Sequence, residues 1–474
     1  MNGSQDDKGP GNKCRGLEES LSSALDVPIT NLHRLTAGAS MESWAFEAGE
    51  EALILRRAPG GAETNTGIGG IPLATEAALI EAARANGVTA PKVRHVFVPD
   101  SPIGAAYVMS RLPGDALPQR LFKQPDLAPV LDKLPKRLAQ EMAAIHAIPL
   151  VALPDDVPTA GAAELIESYH AAYTTIGERR PVYDLAFHWL RKNCPEPFMP
   201  PVLVHGDFRM GNLLIDESGL TAVLDWEIAH LGDPHQDLAY ICAPSWRFGR
   251  RDKAVGGIGD IEPFLSAYEA ASGRSIDQDR FRFWRVLTTL FWGSACMTML
   301  GDWRDGTERT IERAAIGRRI SEVEIDLLLL LAQIEGVEAK PLPPITIPSR
   351  DEQTGQTSLA EMITAVAEWN ETEVTPNAKG RDRFQSRIAA NLLAQLSREA
   401  QMGRDFAFAQ RDRLKALRLM PDVLSKGLTD GSLDWRKPAL FDHLCLSAME
   451  RLLIDQPTYH GLAEAQRRWI TAAG

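Results

Sequence analysis

Three oxygen-bearing side chains lie close together in the middle of this sequence and could act together. Asp207 is followed five positions later by Asn212, and a second carboxylate, Asp225, comes thirteen positions after that. A carboxylate can accept a proton from a hydroxyl group, and carboxylate and carbonyl oxygens suit Mg²⁺. Transfer of a phosphoryl group requires little more of a protein than a positioned proton acceptor and metal ligands. The three residues therefore indicate phosphoryl transfer.

The spacing of these residues assigns a role to each of them. Asp207 and Asn212 reproduce the D-x-x-x-x-N interval of the kinase catalytic loop. In that loop the Asp orients the acceptor hydroxyl and the Asn holds Mg²⁺. We predict that Asp207 is the catalytic base and that Asn212 and Asp225 are metal ligands.

Short apolar runs around the loop predict the strands that position it. Val202–Val204 precedes the loop, while Asn212–Ile215 and Leu220–Asp225 follow it and are joined by a polar turn. Runs of this length, bounded by turn residues, are typical of short buried strands. A hairpin of the second and third runs would return Asp225 to the side of Asn212.

The segment that contains Asp207, Asn212 and Asp225 resembles the aminoglycoside phosphotransferase and choline kinase-like family of small-molecule kinases. It is most similar to the branch attached to acyl-CoA dehydrogenases, in which H-G-D-[FY]-R-x-G-N-L-[LI] precedes L-D-W-E-x-A-x-x-G-D-P. The sequence keeps that pattern as His205 to Leu214 and Leu224 to Pro234. The resemblance implies an α+β, bilobal protein-kinase-like fold, with a small β-rich N-lobe and a helical C-lobe. It also implies ATP and Mg²⁺ as cofactors.

The residues before this segment predict the N-lobe. Strands are predicted at Ile29–Ala37, Glu42–Ala48 and Glu51–Arg57, with a glycine-containing turn between the first two. That turn, which ends at Ser40, would cover the nucleotide phosphates. Ser40 is therefore a candidate cofactor contact.

Two charged residues of the N-lobe are candidates for binding ATP. Arg56 stands where protein kinases carry a phosphate-binding Lys, and Arg can grip phosphate with two donors although it is bulkier. A helix predicted over Pro72–Asn86 offers Glu76 to pair with Arg56. The alternative is that Glu76 is one of several acidic residues stabilised in a first helical turn by the helix dipole, and that Arg56 is a surface residue.

The last two predicted strands of the N-lobe, Val93–Val98 and Ala105–Met109, lead into a segment that resembles the hinge of the family. The resemblance implies that backbone groups near Ser110 and Leu112 bind adenine. A plain strand followed by a Pro-Gly turn is an equally good interpretation of these residues.

Two further polar residues are interpreted as supports and not as reactants. Asp237 follows the motif and is expected to hydrogen-bond the catalytic loop. His146 lies on a strongly helical stretch, where a lone histidine is more often structural than catalytic.

The composition limits the class of protein. With 474 residues the chain is too long for one ordinary domain, and a net charge of −12 argues against nucleic acid as a partner. No apolar run is long enough for a transmembrane helix, so no membrane partner is expected. Five scattered cysteines indicate neither a disulfide framework nor a zinc site. We expect a cytoplasmic protein with reduced thiols.

Changes of pattern along the chain predict five segments. These are a disordered tail at 1–15, a kinase-like N-lobe at 16–112, a C-lobe at 113–336, a Pro-rich linker at 337–356 and an all-helical domain at 357–474. The C-lobe ends in a long helix predicted over Thr307–Gly336. The last segment opens with a capping box at Ser358 and Glu361, and it resembles a domain of unknown function found with this branch. We interpret it as a docking or oligomerisation module, or as structural support.

The sequence thus predicts an ATP- and Mg²⁺-dependent phosphotransferase that acts on a hydroxyl of a small molecule. The resemblance to the dehydrogenase-associated branch suggests a hydroxyacyl-CoA or a hydroxy acid, whereas the wider family includes kinases of aminoglycosides, choline and sugars. The basic run Trp246–Lys253 could receive the phosphates of a coenzyme A thioester, or it is a solvated loop. The alternative class is a catalytically silent nucleotide-binding scaffold, which would act through its helical domain on a protein partner or a second copy.

Overall fold

The computed structural model describes residues 10–35, 41–61, 70–338, 341–347 and 357–470. The chain divides into two compact units. The first consists of Met1–Gly161, Pro197–Ile241 and Ile258–Ile276, and the second of Ala162–Glu196, Cys242–Gly257 and Asp277–Gly474.

A five-stranded antiparallel sheet forms the N-terminal part of the first unit. Its strands are ordered β1-β2-β3-β5-β4 and comprise β1 (Ile29–Arg34), β2 (Glu42–Ala48), β3 (Glu51–Arg57), β4 (Val93–Phe97) and β5 (Ala106–Ser110). Phe46, Leu53 and Leu55 are buried in the core beneath one face. Because successive side chains of a strand point to opposite faces, Arg56 of β3 lies on the other face of the sheet.

Helices and short strands complete the first unit. They are α1 (Pro10–Leu25), α2 (Leu73–Ala85), α3 (Pro118–Leu121), α4 (Ala128–His146), β6 (Val202–Val204), β7 (Leu213–Asp216), β8 (Gly219–Val223), β9 (His230–Gly232), α7 (His235–Tyr240) and α8 (Ile261–Ser272). Helix α4 packs against α8 and against β8. In the hairpin of β7 and β8, Leu213 lies opposite Val223, so the chain returns to Asn212 just before Asp225.

The second unit is built from helices. They are α5 (Ala162–Thr175), α6 (Pro181–Lys192), α9 (Gln278–Asp305), α10 (Ile311–Ile316), α11 (Ile320–Ile334), α12 (Leu359–Trp369), α13 (Thr375–Asn377), α14 (Gly380–Ala416), α15 (Pro421–Thr429), α16 (Pro438–Asp455) and α17 (His460–Trp469). Helix α11 packs between α9 and α16, and α14 packs against α12 and α16. The capping box predicted at Ser358 and Glu361 is confirmed at the start of α12.

The long helix predicted over Thr307–Gly336 is interrupted in the structure. Helices α10 and α11 are separated by a 3-10 turn at Gly317–Arg319. A Cβ atom at Gly317 would lie 3.0 Å from Cδ1 of Leu300 on α9. The break therefore occurs where the backbone approaches a neighbouring helix, a tertiary contact that the helical periodicity of the sequence does not encode.

The ends of the predicted segments coincide only partly with the described elements. Helix α1 begins at Pro10, inside the range 1–15 that the sequence predicted as a disordered tail. Most of the predicted linker at 337–356 lies outside the described residues. Helices before and after that linker, α11 and α16, pack together within the second unit.

Two observations bear on the environment of the protein. Within the described residues, no helix combines the length and the apolar character needed to cross a bilayer. The four cysteines whose side chains are described are Cys194, Cys242, Cys296 and Cys445, and each is a free thiol.

A buried carboxylate gives the second unit a specific dependence on pH. Asp326 on α11 is only 2% exposed and accepts a hydrogen bond from the Tyr459 hydroxyl at 2.6 Å. Burial raises the pKa of Asp326 to about 7, from about 3.9 in an unfolded chain. The folded state therefore binds this proton more tightly than the unfolded state does. As a result, stability is lost as the pH rises from about 4 to about 7.

Replacing Asp326 by Asn should remove this penalty, because the amide cannot ionise and its oxygen can still accept from Tyr459. We expect the free energy of unfolding to rise by up to about 4 kcal/mol at pH ~8 and to be nearly unchanged at pH ~4. Urea unfolding at the two pH values measures both. The exposed Asp412 on α14 is the control, and Asp412→Asn should change stability by less than about 0.5 kcal/mol. An equal effect of Asp326→Asn at both pH values would contradict the assignment.

Candidate active site

The catalytic loop begins where β6 ends, and a glycine shapes its first turn. Gly206 has a φ of +82°, and a Cβ atom at this position would lie 2.8 Å from the backbone oxygen of Ile228. Only glycine fits such a position without strain. The loop then closes in a short 3-10 helix, Met210–Asn212, which brings the chain back towards Asp207.

Asp207 is held by three hydrogen-bond donors. Its Oδ2 accepts a hydrogen bond from Nδ2 of Asn212 at 2.5 Å. Its Oδ1 accepts from Nε of Arg209 at 2.9 Å and from the hydroxyl of Tyr240 at 2.7 Å. The structure therefore brings the predicted base and a predicted metal ligand into direct contact, and it fixes the orientation of the carboxylate.

The β7–β8 hairpin delivers the second carboxylate to the same place. The backbone N–H of Leu224 donates to the backbone oxygen of Asn212 at 2.8 Å, so Asp225 follows directly beside Asn212. Asp225 has a φ of +67°, a left-handed conformation that Asp tolerates better than most residues but that still costs about 1 kcal/mol. Such local strain is typical of functional positions.

Arg56 of β3 connects three carboxylates. Its Nη2 donates to Oδ1 of Asp225 at 2.5 Å and to Oε2 of Glu227 at 2.8 Å. Its Nε lies 3.3 Å from Oε2 of Glu76 on α2. The ion pair predicted between Arg56 and Glu76 is present, and the same guanidinium reaches the carboxylate predicted to hold metal.

The guanidinium of Arg56 is shared by the carboxylates of Glu76, Asp225 and Glu227. Burial raises the pKa of Glu76, although Arg56 opposes the shift. Burial by itself would lower the pKa of Arg56. The neighbouring carboxylates have the larger effect, so the pKa of Arg56 is raised above its ordinary value. The carboxylates therefore keep the Arg56 guanidinium charged in its buried position.

Glu76 is fixed by donors from two further elements. It is fully buried, and its Oε1 accepts from the backbone N–H of Trp226 at 3.2 Å. The hydroxyl of Tyr107 on β5 also hydrogen-bonds to Glu76. The carboxylate therefore ties α2 to the sheet and to the segment that carries Asp225.

A second buried carboxylate, Asp237, accepts hydrogen bonds from the backbone at the start of the catalytic loop. Its Oδ2 and Oδ1 accept from the backbone N–H groups of His205 at 2.8 Å and of Gly206 at 2.9 Å. Nε2 of His146 also donates to Asp237 at 3.1 Å, and Nδ1 of His146 lies 2.8 Å from the Tyr268 hydroxyl. Burial alone would raise the pKa of Asp237, but the hydrogen bonds and charge of His146 lower it overall. The hydrogen bonds predicted for Asp237 are present, and the contacts of His146 agree with the structural role predicted for it.

Replacing Asp237 by Asn should destabilise the protein, because the amide NH₂ would face a buried backbone N–H. We expect a loss of about 2–4 kcal/mol in the free energy of unfolding, together with faster hydrogen exchange at the amides of His205 and Gly206. Urea unfolding and exchange measured by mass spectrometry test this. Glu217→Gln, at an exposed residue in the turn of the β7–β8 hairpin, is the control. Unchanged exchange in the loop would show that Asp237 does not hold it.

The structure describes the residues predicted to contact adenine, Ser110 and Leu112. Ser110 ends β5, where its N–H donates to the backbone oxygen of Lys92 at 2.8 Å and its hydroxyl accepts from the Lys92 N–H at 2.9 Å. Leu112 follows, and among the described residues its N–H has no backbone partner. Ser40 lies outside the described residues.

Several residues of the site were not predicted from the sequence. Glu227 and Arg209 stand inside the two motifs, but their contacts with Arg56 and Asp207 appear only in the structure. Tyr240 lies three residues after Asp237 on α7, a spacing that places both on one side of a helix. That spacing is the signal that could have identified Tyr240 as a neighbour of the loop.

Comparison with family models identifies two parts of the chain. A model of the phosphotransferase enzyme family matches residues 31–284, more than half of the chain. A model described as a domain of unknown function (DUF6285) matches residues 376–459.

Two known proteins match part of the chain. Acyl-CoA dehydrogenase family member 10 of Mus musculus is 28% identical over 285 residues, which cover 53% of this chain and 25% of that protein. Acyl-CoA dehydrogenase family member 11 of Pongo abelii is 30% identical over 118 residues, or 23% of this chain and 15% of that protein. The chain thus matches a quarter or less of the length of these relatives.

A solved structure shares its fold with a large part of the chain. The crystal structure of a presumed aminoglycoside phosphotransferase from Ralstonia eutropha aligns with a TM-score of 0.53 and 22% sequence identity. The alignment covers 66% of this chain and 98% of that protein.

Proposed function

This chain belongs to the phosphotransferase enzyme family, and from that premise we propose that it transfers the terminal phosphoryl group of ATP to a hydroxyl of a small molecule with the help of Mg²⁺. The family match confirms the resemblance inferred from the two motifs, and the Ralstonia eutropha structure confirms the kinase-like fold. The observation that carries the proposal is the direct contact of Asp207 with Asn212, beside the turn that presents Asp225.

The residues present fit a nucleotide-bound Mg²⁺. In the part of the chain that the structure describes, no three His, Cys, Asp or Glu side chains surround one metal position. Mg²⁺ in kinases is typically held by one or two side chains together with phosphates, and Asn212 and Asp225 would supply these. When bound, Mg²⁺ neutralises charge on the transferred phosphoryl group.

Asp207 retains capacity for a substrate hydroxyl. A carboxylate offers about four acceptor sites, and the side chains of Arg209, Tyr240 and Asn212 occupy three of them. The remaining site lies on Oδ2, which has a single donor. We infer that Oδ2 receives the proton of the acceptor hydroxyl, while the donors on both oxygens fix the direction from which that hydroxyl approaches.

Arg56 would bind the nucleotide phosphates in place of the usual Lys. Its planar guanidinium can donate two hydrogen bonds to one phosphate, and Glu76 holds the side chain in position. The backbone near Ser110 and Leu112 is the proposed adenine contact, with Ser40 over the phosphates. Among the described residues the N–H of Leu112 has no backbone partner, which supports this assignment.

The class of substrate that accepts the phosphoryl group is proposed from the names of the similar proteins. Two proteins similar to this chain are named as acyl-CoA dehydrogenase family members, so a hydroxyacyl-CoA or a hydroxy acid is the first candidate. A cytoplasmic location, which would suit an ATP-dependent enzyme with free thiols, is also part of the proposal.

The helical C-terminal region is proposed to dock a protein partner or a second copy. Helix α12 exposes Leu359, Met362, Val366 and Trp369, each 49–62% exposed, at intervals of three and four residues. An apolar stripe on a solvated helix face is typical of a recognition surface.

Measurement of ADP formation tests the proposed function. The full-length protein is incubated with ATP and Mg²⁺ and with a panel of hydroxyacyl-CoAs, hydroxy acids, aminoglycosides, choline and sugars. We expect one class to stimulate ADP formation, with a matching amount of phosphorylated product. Nucleotide binding without stimulation by any member would favour the scaffold alternative.

A further inference from the structure

The second unit contains a cavity of about 450 Å³ that lies apart from every residue assigned above to catalysis. It is bordered by the loop at residues 244–252, by α9 and α11, and by the start and end of α17. Five arginines line it, namely Arg247, Arg251, Arg285, Arg467 and Arg468. A volume of this size is typical of a small-molecule site.

The carboxylates that line the cavity do not neutralise these arginines. Glu464 pairs with Arg467 at 2.6 Å. Burial raises the pKa of Asp326 to about 7, so its carboxyl group is largely uncharged below that pH. Asp252 is the third lining carboxylate. The cavity therefore has more guanidinium groups than carboxylates, although the chain as a whole has a net charge of −12.

Three of the arginines that line the cavity have no carboxylate partner among the described residues. Among the described residues, no Asp or Glu oxygen lies within ion-pair distance of Arg247, Arg251 or Arg285. Arg247 donates through Nη2 to the backbone oxygen of Cys242 at 3.3 Å, and its Nε is buried without a hydrogen bond. Burial and the charge of Arg247 lower the pKa of Arg285. Burial of the charged groups of Arg247 and Arg285 is costly unless an anion compensates them.

A neutral histidine contributes a further unsatisfied donor or acceptor. His460, at the first position of α17, has a buried Nε2 with no hydrogen-bond partner. Burial lowers the pKa of His460 to about 4, and Arg247 and Arg251 lower it further in the same direction. The ring is therefore uncharged at neutral pH and can hydrogen-bond a ligand that the arginines attract.

We propose that this cavity binds a small ligand that carries two or more phosphate groups. A guanidinium group can donate two hydrogen bonds to the oxygens of one phosphate. The guanidinium groups reach the cavity from three separate elements, so they can bind more than one anionic group. The inference uses no residue of the phosphotransfer site and does not depend on the proposed function.

Calorimetric titration of the full-length protein with inorganic pyrophosphate, in the absence of Mg²⁺, tests the proposal. We expect saturable binding that weakens at least about tenfold in Arg285→Gln and in Arg251→Gln, since each removes a charge-assisted hydrogen-bond donor. Arg251 is exposed on a loop, so its replacement keeps the test valid if Arg285→Gln does not fold.

Two controls distinguish the cavity from other anion sites. Arg282→Gln removes the same charge three residues earlier on α9, where Arg282 is exposed and paired with Asp279 at 3.0 Å, and should leave the affinity unchanged. Asp225→Asn alters the phosphotransfer site and should also leave it unchanged. Absence of binding, or equal affinity in Arg285→Gln, Arg251→Gln and Arg282→Gln, would overturn the proposal. Citrate that binds more tightly than pyrophosphate, with the same dependence on Arg251, would overturn the assignment to phosphate.

Discussion

Replacement of Asp207 by Asn is expected to lower the rate of phosphoryl transfer about 10²- to 10⁴-fold. The amide cannot accept the proton of the acceptor hydroxyl. Its NH₂ group would also face a hydrogen-bond donor, because Asp207 accepts from Asn212 on one oxygen and from Arg209 and Tyr240 on the other. Steady-state kinetics with the acceptor found in the panel, together with the ATP dissociation constant, measure the effect.

The ATP affinity separates the catalytic role of Asp207 from a structural one. We expect Asp207→Asn to bind ATP within about threefold of the native affinity, because a base acts on the acceptor and not on the nucleotide. Glu217→Gln, at an exposed residue in the turn of the β7–β8 hairpin, is the control and should retain full activity. A variant at Asp207 that keeps more than a third of the native rate would remove the proposed mechanism.

The second large effect is expected from Asp225→Asn. Loss of this carboxylate removes a negative ligand for Mg²⁺, and we expect kcat/KM to fall about 10²- to 10³-fold. The Mg²⁺ concentration at half-maximal rate should rise, and higher Mg²⁺ should restore part of the activity. Rates measured across a Mg²⁺ titration provide both quantities.

Glu227→Gln is the matched control for Asp225→Asn. Both carboxylates accept a hydrogen bond from Nη2 of Arg56, at 2.8 Å for Glu227 and 2.5 Å for Asp225. If Asp225 acts through the metal, Glu227→Gln should cost less than about tenfold and leave the Mg²⁺ dependence unchanged. Equal losses in the two variants would show that both act only by anchoring Arg56.

The local parts of the site were predictable because they depend on short-range patterns. The alternation and turn residues around β2 and β3 define these strands, and the observed bounds equal the predicted ones at Glu42–Ala48 and Glu51–Arg57. The interval from Asp207 to Asn212 lies within one loop, so their contact also follows from the sequence. The pairing of Arg56 with Glu76 required the analogy with kinases in addition.

Other contacts depend on how distant segments pack. Arg56 reaches Asp225 and Glu227 across more than 160 positions of sequence, and no periodicity encodes which carboxylates share one guanidinium. The cavity of the second unit combines Arg247 from a loop with Arg285 on α9. A basic run can be identified in the sequence, but which of its arginines lack a carboxylate partner among the described residues is visible only in three dimensions.

The most direct test of the central claim is a crystal structure of the protein with Mg²⁺ and a nonhydrolysable ATP analogue. The account predicts a metal ion about 2.1 Å from the side-chain oxygens of Asn212 and Asp225, Arg56 on the phosphates, and Asp207 facing the terminal phosphate without binding metal. A nucleotide bound elsewhere, or a metal ion that contacts neither Asn212 nor Asp225, would contradict it.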